Sequence, residues 1–336
     1  MYELFYSVMI GAVVLDRWAG DPRWLPHPVR LIGYLCDIIE SRSRKLSGSI
    51  PLRWAGLLSV FLVVSATAMT CTGLLLLADL INSFLLAAVG FFLLYCSVAT
   101  GDLVSHSKAV FSPLSSADMA QARQAAAMMV GRDTAHLNES DISRATIESV
   151  AENLVDGITA PLFWAFAGSL VSLFIALDPI YGAVIGAISY KAINTMDSMW
   201  GYTSQRYIEF GRYAAKLDDA VNFLPARISG WCVVAAALLP GFSCRLSVRT
   251  YLADRHKSPS PNSAHTEAAF AGALSRQLGG PSTYQSVVHE KAIIGAGFPP
   301  PQAEDIPRAN RLLIAAAVVF FLVLLGAHLG ITRLWA

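Results

Sequence analysis

Four residues with charged side chains follow one another at intervals of four in the middle of the chain: Arg144, Glu148, Glu152 and Asp156. Residues at this spacing lie on one face of a helix, where like charges repel by roughly a few tenths of a kcal/mol per pair. A cation would relieve that repulsion, and carboxylate oxygens suit Mg²⁺ bridged to phosphate. We therefore predict metal binding by the acidic row, Glu148, Glu152 and Asp156, beside Asn153. A solvated helix face with Arg144 as counter-charge is the simpler alternative.

A second polar segment, residues 190–230, interleaves cations with carboxylates. Lys191, Asn194 and Asp197 share one face of a predicted helix, and such a mixture beside a membrane is able to hold the phosphates and the metal of a nucleotide. The alternative is a network of ion pairs at the membrane surface, with a basic rim that faces phospholipids. The candidate residues of this segment are Lys191, Asn194, Asp197, Ser198, Tyr202, Arg206, Arg212, Asp218, Asp219, Asn222 and Arg227.

Two further segments combine polar side chains with turn-forming residues. GDPRWLPHPVRLIG places Asp21, His27 and Arg30 among three prolines, which restrict the backbone to few conformations. SPSPNSAHTEAAFAGAL places Asn262 at the start of a predicted helix and Glu267 in its early turns. We predict substrate binding for both segments, although an N-cap at Asn262 or Ser263 is the simpler explanation for the second.

The rest of the chain must position these groups, and its composition indicates a membrane protein. Of the 336 residues, 54% are hydrophobic and 15% charged, whereas about 25% of residues in a soluble domain are charged. The mean hydropathy is +0.50. This composition excludes a disordered chain, a fibrous repeat and a small disulfide scaffold. A formal net charge of +1 gives no sign of the basic patch that nucleic-acid binding needs.

Long apolar segments predict an all-α, polytopic integral membrane protein, since a helix needs roughly 20 apolar residues to span a bilayer. The alternation typical of β-strands does not persist anywhere in the sequence. The predicted spans are residues 4–15, 54–78, 84–100 and 312–328. Two segments, 160–189 and 228–242, are ambiguous, because each forms either a span or a hairpin or re-entrant helix that returns to the same side. In the first, Asp178-Pro179 either kinks one long helix or turns between two short ones.

The charge distribution predicts one integral membrane domain over residues 1–336, with helical connecting segments on the cytoplasmic side. The long polar connections carry most of the Lys and Arg residues, which is typical of cytoplasmic segments. The five cysteines form no CxxC motif or Cys/His cluster, and no P-loop, GxGxxG or HExxH motif occurs. We therefore expect no haem, flavin or zinc, and ATP has to bind without the common phosphate loop.

Four segments, read in order, resemble the CobD/CbiB family of adenosylcobinamide-phosphate synthases over roughly residues 10–300. They are GDPRWLPHPVRLIG, ESVAENLVDGITAPLFW, YKAINTMDSMWGY with RYAAKLDDAVNFLPARI, and SPSPNSAHTEAAFAGAL with LGGP. Small departures from the common family pattern occur at Ser263–Thr266 and Pro281–Thr283. The resemblance implies a cobalamin-biosynthesis enzyme in the bacterial inner membrane. It also implies ATP-dependent amide formation between (R)-1-amino-2-propanol, or its O-phosphate, and the free propionate of adenosylcobyric acid.

The residue roles are hypotheses placed on the positions that match the family segments. Activation of a carboxylate as an acyl phosphate depends on neutralising phosphate charge, and the attacking amine has to lose a proton. The predicted ligands of Mg²⁺, which accompanies ATP, are Glu148, Glu152, Asp156 and Asp197. The predicted catalytic groups are Lys191, which neutralises phosphate, and the candidate bases His27, Asp218 and Asp219. The predicted ligands of ATP and the other substrates are Asp21, Arg30, Asn153, Asn194, Ser198, Tyr202, Arg206, Arg212, Asn222, Arg227, Asn262 and Glu267.

The expected partners are the corrinoid, aminopropanol phosphate, the lipid bilayer and other membrane enzymes of late cobalamin assembly. Nucleic acid is not expected, and a homo-oligomer stays open. Two other functions compete with the ligase. A transporter would carry charge inside its spans, but residues 54–78, 84–100 and 312–328 are almost free of ionisable groups apart from His328. A regulatory membrane protein of the AmpE type would consume no ATP with corrinoid and amine.

Overall fold

The computed structural model describes residues 2–22, 24–46, 50–202, 204–284 and 287–335 of the chain. Most of them are helical, which confirms the predicted all-α fold class. The α-helices are α1 (Tyr2–Ala19), α2 (Pro28–Leu46), α3 (Leu52–Asp79), α4 (Ser83–Tyr95), α5 (Thr100–Ser115), α6 (Met119–Ala127), α7 (Glu139–Leu154), α8 (Ala160–Phe174), α9 (Pro179–Trp200), α10 (Arg212–Ala236), α11 (Cys244–Asp254), α12 (Ser263–Leu274) and α13 (Asp305–Trp335). A π-turn, Val155–Thr159, joins α7 to α8.

Short strands follow α12. They are β1 (Leu278–Gly279), β2 (Ser282–Tyr284), β3 (Val287–His289) and β4 (Ile293–Ile294). β1 pairs antiparallel with β4, and β2 pairs antiparallel with β3. Elements of two or three residues are too short for a pattern with a period of two to stand out in the sequence, so the sequence did not predict them.

The chain folds into two compact units. The first comprises Met1–Ala99, Ala160–Asn222 and Leu324–Ala336, and the second comprises Thr100–Thr159 and Phe223–Val323. In the first unit, α9 packs against α2, α3, α4 and α8. In the second, α12 packs against α7 and α11. The single integral membrane domain over residues 1–336 stays a prediction.

Helical stretches long and apolar enough to cross a bilayer occur in the described part of the chain. They are Leu52–Asp79, Ser83–Ser115, Glu139–Phe174 and Asp305–Leu334. The predicted spans at 54–78, 84–100 and 312–328 lie inside three of these stretches, which confirms the membrane character of the fold. The predicted span at 4–15 lies in α1, which is not among them.

The ambiguous segment 160–189 forms two helices, α8 and α9, joined by a short turn. Asp178 is the N-cap of α9, and its side chain accepts a hydrogen bond from the backbone N–H of Ile180 at 2.9 Å. Pro179 occupies the first turn, where its missing N–H costs nothing. The pair therefore turns the chain between two helices. The segment 228–242 contains the end of α10 followed by turns.

α8 and α9 touch through their backbones. A side chain at Gly168 would overlap the carbonyl oxygen of Gly182, and a side chain at Gly182 would overlap that of Gly168. One turn further along α9, a side chain at Gly186 would overlap the carbonyl oxygen of Trp164. Small residues at such positions let two apolar helices approach closely and gain dispersion energy. This pairing fixes α9, which carries Tyr190 and the polar residues that follow it.

The cysteines are all free thiols. Cys36, Cys71, Cys96 and Cys232 are buried, and Cys244 is half-buried. The four buried thiols therefore serve as small apolar packing residues.

Candidate functional site

A small polar cavity lies beside α7 in the second unit. It has a volume of about 140 Å³. We call it the α7 cavity, and its polar lining consists of Arg132, Glu148, Ser149, Glu152, Asn153, Glu267 and Lys291. The sequence predicted Glu148, Glu152, Asn153 and Glu267 as site residues, and the structure places all four together. Arg132 and Lys291 were missed, because each is a single cation in an irregular segment without a helical or strand pattern.

Local sequence explains why α7 presents this wall. Asn138 is its N-cap and accepts a hydrogen bond from the backbone N–H of Asp141 at 2.9 Å. Glu139 and Asp141 lie in the first turn, where negative charge is stabilised by the helix dipole. Ile142 and Ile147 are fully buried. With its apolar positions fixed in the core, α7 presents Glu148 and Glu152 to the cavity.

Glu148 forms the buried wall of the α7 cavity. One of its carboxylate oxygens accepts a hydrogen bond from Arg132, and the other accepts one from the backbone N–H of Gly279 at 2.7 Å. Arg132 is 8% exposed and Glu148 5% exposed, so this ion pair is almost fully removed from water. Gly279 has φ of +74°, and a side chain there would overlap the carbonyl oxygen of Ala292. Glu148 therefore ties α7 to β1 and to the segment that precedes α7.

Glu267 faces the same cavity from α12 and is half-buried. Burial raises the pKa of Glu267 to about 8. The negative charges of Glu148 and Glu152 add to this rise, whereas the positive charges of Lys291 and Arg132 oppose it. Glu267 can therefore exchange a proton close to neutral pH.

Glu148, Glu152 and Asp156 do not together form the predicted metal site. Both oxygens of Glu148 already have protein partners. Asp156 lies in the π-turn, which breaks the four-residue spacing that would align it with Glu152. In the described ranges, no group of three or more His, Cys, Asp or Glu side chains is placed to hold a metal ion. A magnesium ion shared by Glu148, Glu152 and Asp156 does not fit this arrangement, and magnesium binding by the chain stays a prediction.

The first unit holds a separate polar cluster between α9 and α10. The buried carboxylate of Asp218 accepts hydrogen bonds from Asn222 at 2.9 Å and Asn194 at 3.4 Å. Tyr190 donates its hydroxyl to the side-chain oxygen of Asn222 at 3.0 Å. Burial and the nearby charge of Asp197 raise the pKa of Asp218 to about 7. Asp218 can therefore exchange a proton near neutral pH, and its role as a base stays a prediction.

The remaining candidates of this segment differ in exposure. Lys191, Asp197 and Asp219 are half-buried, whereas Ser198, Tyr202 and Arg212 are exposed. Arg206 is exposed and pairs with the buried Glu40 at 3.1 Å. This ion pair gives Arg206 a structural partner in addition to its predicted role at phosphate.

The loop that contains Asp21 brings two of its candidates together. His27 and Asp21 lie 3.3 Å apart, and both are half-buried. Tyr95 donates a hydrogen bond to the carbonyl oxygen of Gly20, which holds the start of the loop against α4. Arg30 lies in the first turn of α2 and is exposed.

Asn262 precedes α12, as the N-cap explanation requires, but its side chain does not cap the helix. Its side-chain oxygen accepts a hydrogen bond from Arg227 at 3.3 Å. The Arg227 guanidinium also lies over the ring of Phe223, 3.4 Å from its centre. Burial lowers the pKa of Arg227. The structure thus joins two predicted substrate ligands, Arg227 and Asn262, in one contact.

A buried histidine lies next to this contact. His265 is 1% exposed, and its Nδ1 shares a hydrogen bond with the hydroxyl of Tyr251 at 3.1 Å. Burial, together with the charges of Arg227, His256 and Arg255, lowers the pKa of His265 from its ordinary value of 6.5 to about 4. His265 is therefore neutral in the folded chain at neutral pH.

The low pKa of His265 predicts acid sensitivity. The unfolded chain takes up this proton at a higher pH than the folded chain does, so stability falls as the pH falls from 6.5 towards 4. The full decrease in the free energy of unfolding over this pH range is about 3 kcal/mol. We expect the thermal midpoint in detergent to drop between pH 7 and pH 5 more steeply for the native chain than for His265→Gln. The exposed His136→Gln serves as the control, and equal slopes for all three proteins would contradict this assignment.

Comparison with known proteins places the chain in a family. A family model described as "CobD/Cbib protein" matches residues 9–313. A relative from Desulfotalea psychrophila, named Cobalamin biosynthesis protein CobD, is 40% identical over 332 residues, covering 98% of this chain and 100% of the relative. Relatives with the same name from Leptospira interrogans serovar copenhageni and Listeria monocytogenes serotype 4b are each 36% identical. The first alignment covers 95% of this chain and 96% of the relative, and the second covers 98% and 99%.

No solved structure matches the chain. The family match and the length of the alignments confirm the resemblance carried by the four sequence segments. The chain therefore belongs to the CobD/Cbib family, whose relatives named here are cobalamin biosynthesis proteins.

Proposed function

We propose that the chain is a membrane ligase of cobalamin biosynthesis. It uses ATP, with Mg²⁺, to join (R)-1-amino-2-propanol or its O-phosphate to the free propionate of adenosylcobyric acid. Membership of the CobD/Cbib family supports a role in cobalamin biosynthesis. The observation that carries the reaction class is the α7 cavity, which is lined by Glu152 and Glu267, from two of the segments that resemble the family, together with Lys291. A location in the bacterial inner membrane, with the polar segments on the cytoplasmic side where ATP is made, belongs to the same proposal.

The reaction sets clear demands on the protein. A carboxylate is a poor acyl donor, so it has to be activated, most simply by transfer of the γ-phosphoryl group of ATP. That transfer depends on positioning and on neutralising the charge of the phosphate oxygens. Lys191, on the same face of α9 as Asn194 and Asp197, is suited to the second task. The amine then attacks the activated carboxyl carbon, phosphate leaves, and a base has to take the proton that the amine releases.

The direct test uses purified protein in detergent with Mg²⁺-ATP, adenosylcobyric acid and aminopropanol phosphate. The mass of the corrinoid and the release of ADP are followed together. A mass gain of one amide linkage for each ATP consumed supports the proposal. Corrinoid binding with neither a mass change nor ATP consumption would instead support a carrier or a regulator of the AmpE type.

Lys191 offers a sharper prediction within this assay. We expect Lys191→Met to lower the rate of ADP release with both co-substrates present by about a hundredfold, because one charge that stabilises the transferring phosphoryl group is lost. Lys216→Met removes an exposed lysine from α10 and should leave the rate within about twofold. Equal rates for both variants would remove Lys191 from the reaction.

A further inference from the structure

The α7 cavity brings opposite charges into one small space from three parts of the second unit. Glu152 comes from α7, Glu267 from α12, and Lys291 from the connection between β3 and β4. The charge of Lys291 offsets a small part of the rise in the pKa of Glu267 that burial causes. Pairing of β1 with β4 fixes the segment that carries Lys291, since Gly279 lies opposite Ile293. Glu152 and Glu267 therefore project from helices, and Lys291 lies in an exposed irregular segment next to β4.

The size and lining of the cavity restrict what it can hold. A volume of about 140 Å³ suits a small molecule and is too small to enclose a whole nucleotide or corrin ring. A primary ammonium has three N–H donors and needs several acceptors when it leaves water. Glu152 and Glu267 supply carboxylate oxygens for it. Asn153 donates its Nδ2 to the carbonyl oxygen of Ser149 at 2.9 Å, which fixes the orientation of this amide in the wall.

Lys291 supplies a positive charge in the lining, which a negatively charged group on the same ligand can contact. A divalent cation between the two glutamates would be repelled by Lys291 and by Arg132, which are both part of the lining. A small molecule with an ammonium at one end and a phosphate at the other matches both kinds of group. Such charge-assisted hydrogen bonds are about twice as strong as neutral ones.

We propose that the α7 cavity is the binding site of the amine substrate, with the ammonium held by Glu152 and Glu267 and the phosphate oxygens held by Lys291. This assignment rests on the proposed function, which supplies an amino alcohol phosphate as the substrate class. Glu148 and Arg132 neutralise each other in the wall and keep the cavity open, so they position the glutamate of the next turn of α7. The free amino alcohol uses the two glutamates alone.

The test measures binding by calorimetry on the full-length chain in detergent, without ATP or corrinoid. The two probes are (R)-1-amino-2-propanol O-phosphate and (R)-1-amino-2-propanol. Glu152→Gln and Glu267→Gln should each weaken both probes by about tenfold, since each loses one charge-assisted contact. Lys291→Met should weaken the phosphorylated probe by about tenfold and leave the free amine within about twofold. The exposed Glu139→Gln, on the same helix, should bind both probes like the native chain.

The two glutamine variants keep the shape of the side chain, and matched melting temperatures show that they fold. Binding of both probes unchanged in Glu152→Gln and Glu267→Gln would overturn the assignment. So would a loss of Mg²⁺ binding in these variants with amine binding intact. Turnover is measured separately on the native chain, so an active ligase whose variants bind amine normally refutes this site and not the reaction. A chain that shows the expected binding pattern without turnover refutes the reaction and not the site.

Discussion

Replacing Gly182 with valine is expected to prevent α8 and α9 from packing and to leave little folded protein. A valine side chain at this position would overlap the carbonyl oxygen of Gly168, and backbone cannot move aside as a flexible side chain can. Moving the two helices apart would also break the close contact between Gly186 and Trp164. We expect the free energy of unfolding to fall by more than about 3 kcal/mol, which is at the upper end for single substitutions. The yield of monodisperse protein in detergent and its thermal midpoint measure this loss.

Gly73 provides a matched control for this prediction. It lies inside α3, and a side chain there would meet no atom within 4 Å. Gly73→Val exchanges the same residue types in another apolar helix, so it reports the cost of valine in a helix without the steric overlap. Equal thermal midpoints for the two variants would show that α8 and α9 do not meet as closely as the structure describes.

Replacing Glu148 with glutamine is expected to cost about 3 to 5 kcal/mol, because it leaves the charge of Arg132 buried without its counter-ion. The thermal midpoint should fall on the order of 10 °C. The backbone N–H of Gly279 keeps an acceptor only if the amide oxygen takes that position. Because Glu148 ties α7 to β1, we also expect proteolysis to become faster in the segment around Gly279.

Two further variants distinguish the effect of losing the ion pair from the effect of changing a glutamate anywhere in α7. Glu139→Gln makes the same exchange at an exposed position in the first turn of α7 and should cost less than about 1 kcal/mol. The double variant Arg132→Met with Glu148→Leu removes both charges and should recover most of the lost stability. A double variant less stable than Glu148→Gln would mean that the pair stabilises the chain beyond satisfying its own charges.

The sequence was sufficient for the fold class because membrane helices follow from composition over long windows. The sequence was not sufficient at Asp178-Pro179, because these two residues are compatible both with a kink in one helix and with an N-cap that starts a second helix. The structure selects the N-cap, since Asp178 accepts a hydrogen bond from Ile180. Which of the two occurs depends on whether α8 and α9 have complementary surfaces. Gly168 and Gly182 provide them, although local propensity alone does not reveal it.

The candidate site was predictable only in its helical part. Helical spacing placed Glu148 and Glu152 on one face, and the structure shows that face against the cavity. The partners of Glu148 were out of reach, because Gly279 lies 131 residues away along the chain and Arg132 belongs to an irregular segment. A row of carboxylates has the same sequence pattern whether a metal ion or a distant arginine neutralises its charge. For this reason the metal prediction and the observed ion pair start from the same residues.

The buried thiols make the native chain suitable for mapping which side of the bilayer each connection faces. Maleimide reagents attack accessible thiolates, and burial raises the pKa of the Cys36 thiol to about 12. Of the five cysteines, Cys244 alone is half-buried. Exchange of Cys244 for serine therefore gives a nearly silent background without rebuilding the core. Single cysteines introduced at the exposed Trp24 or Arg212 can then be labelled from either side of intact cells.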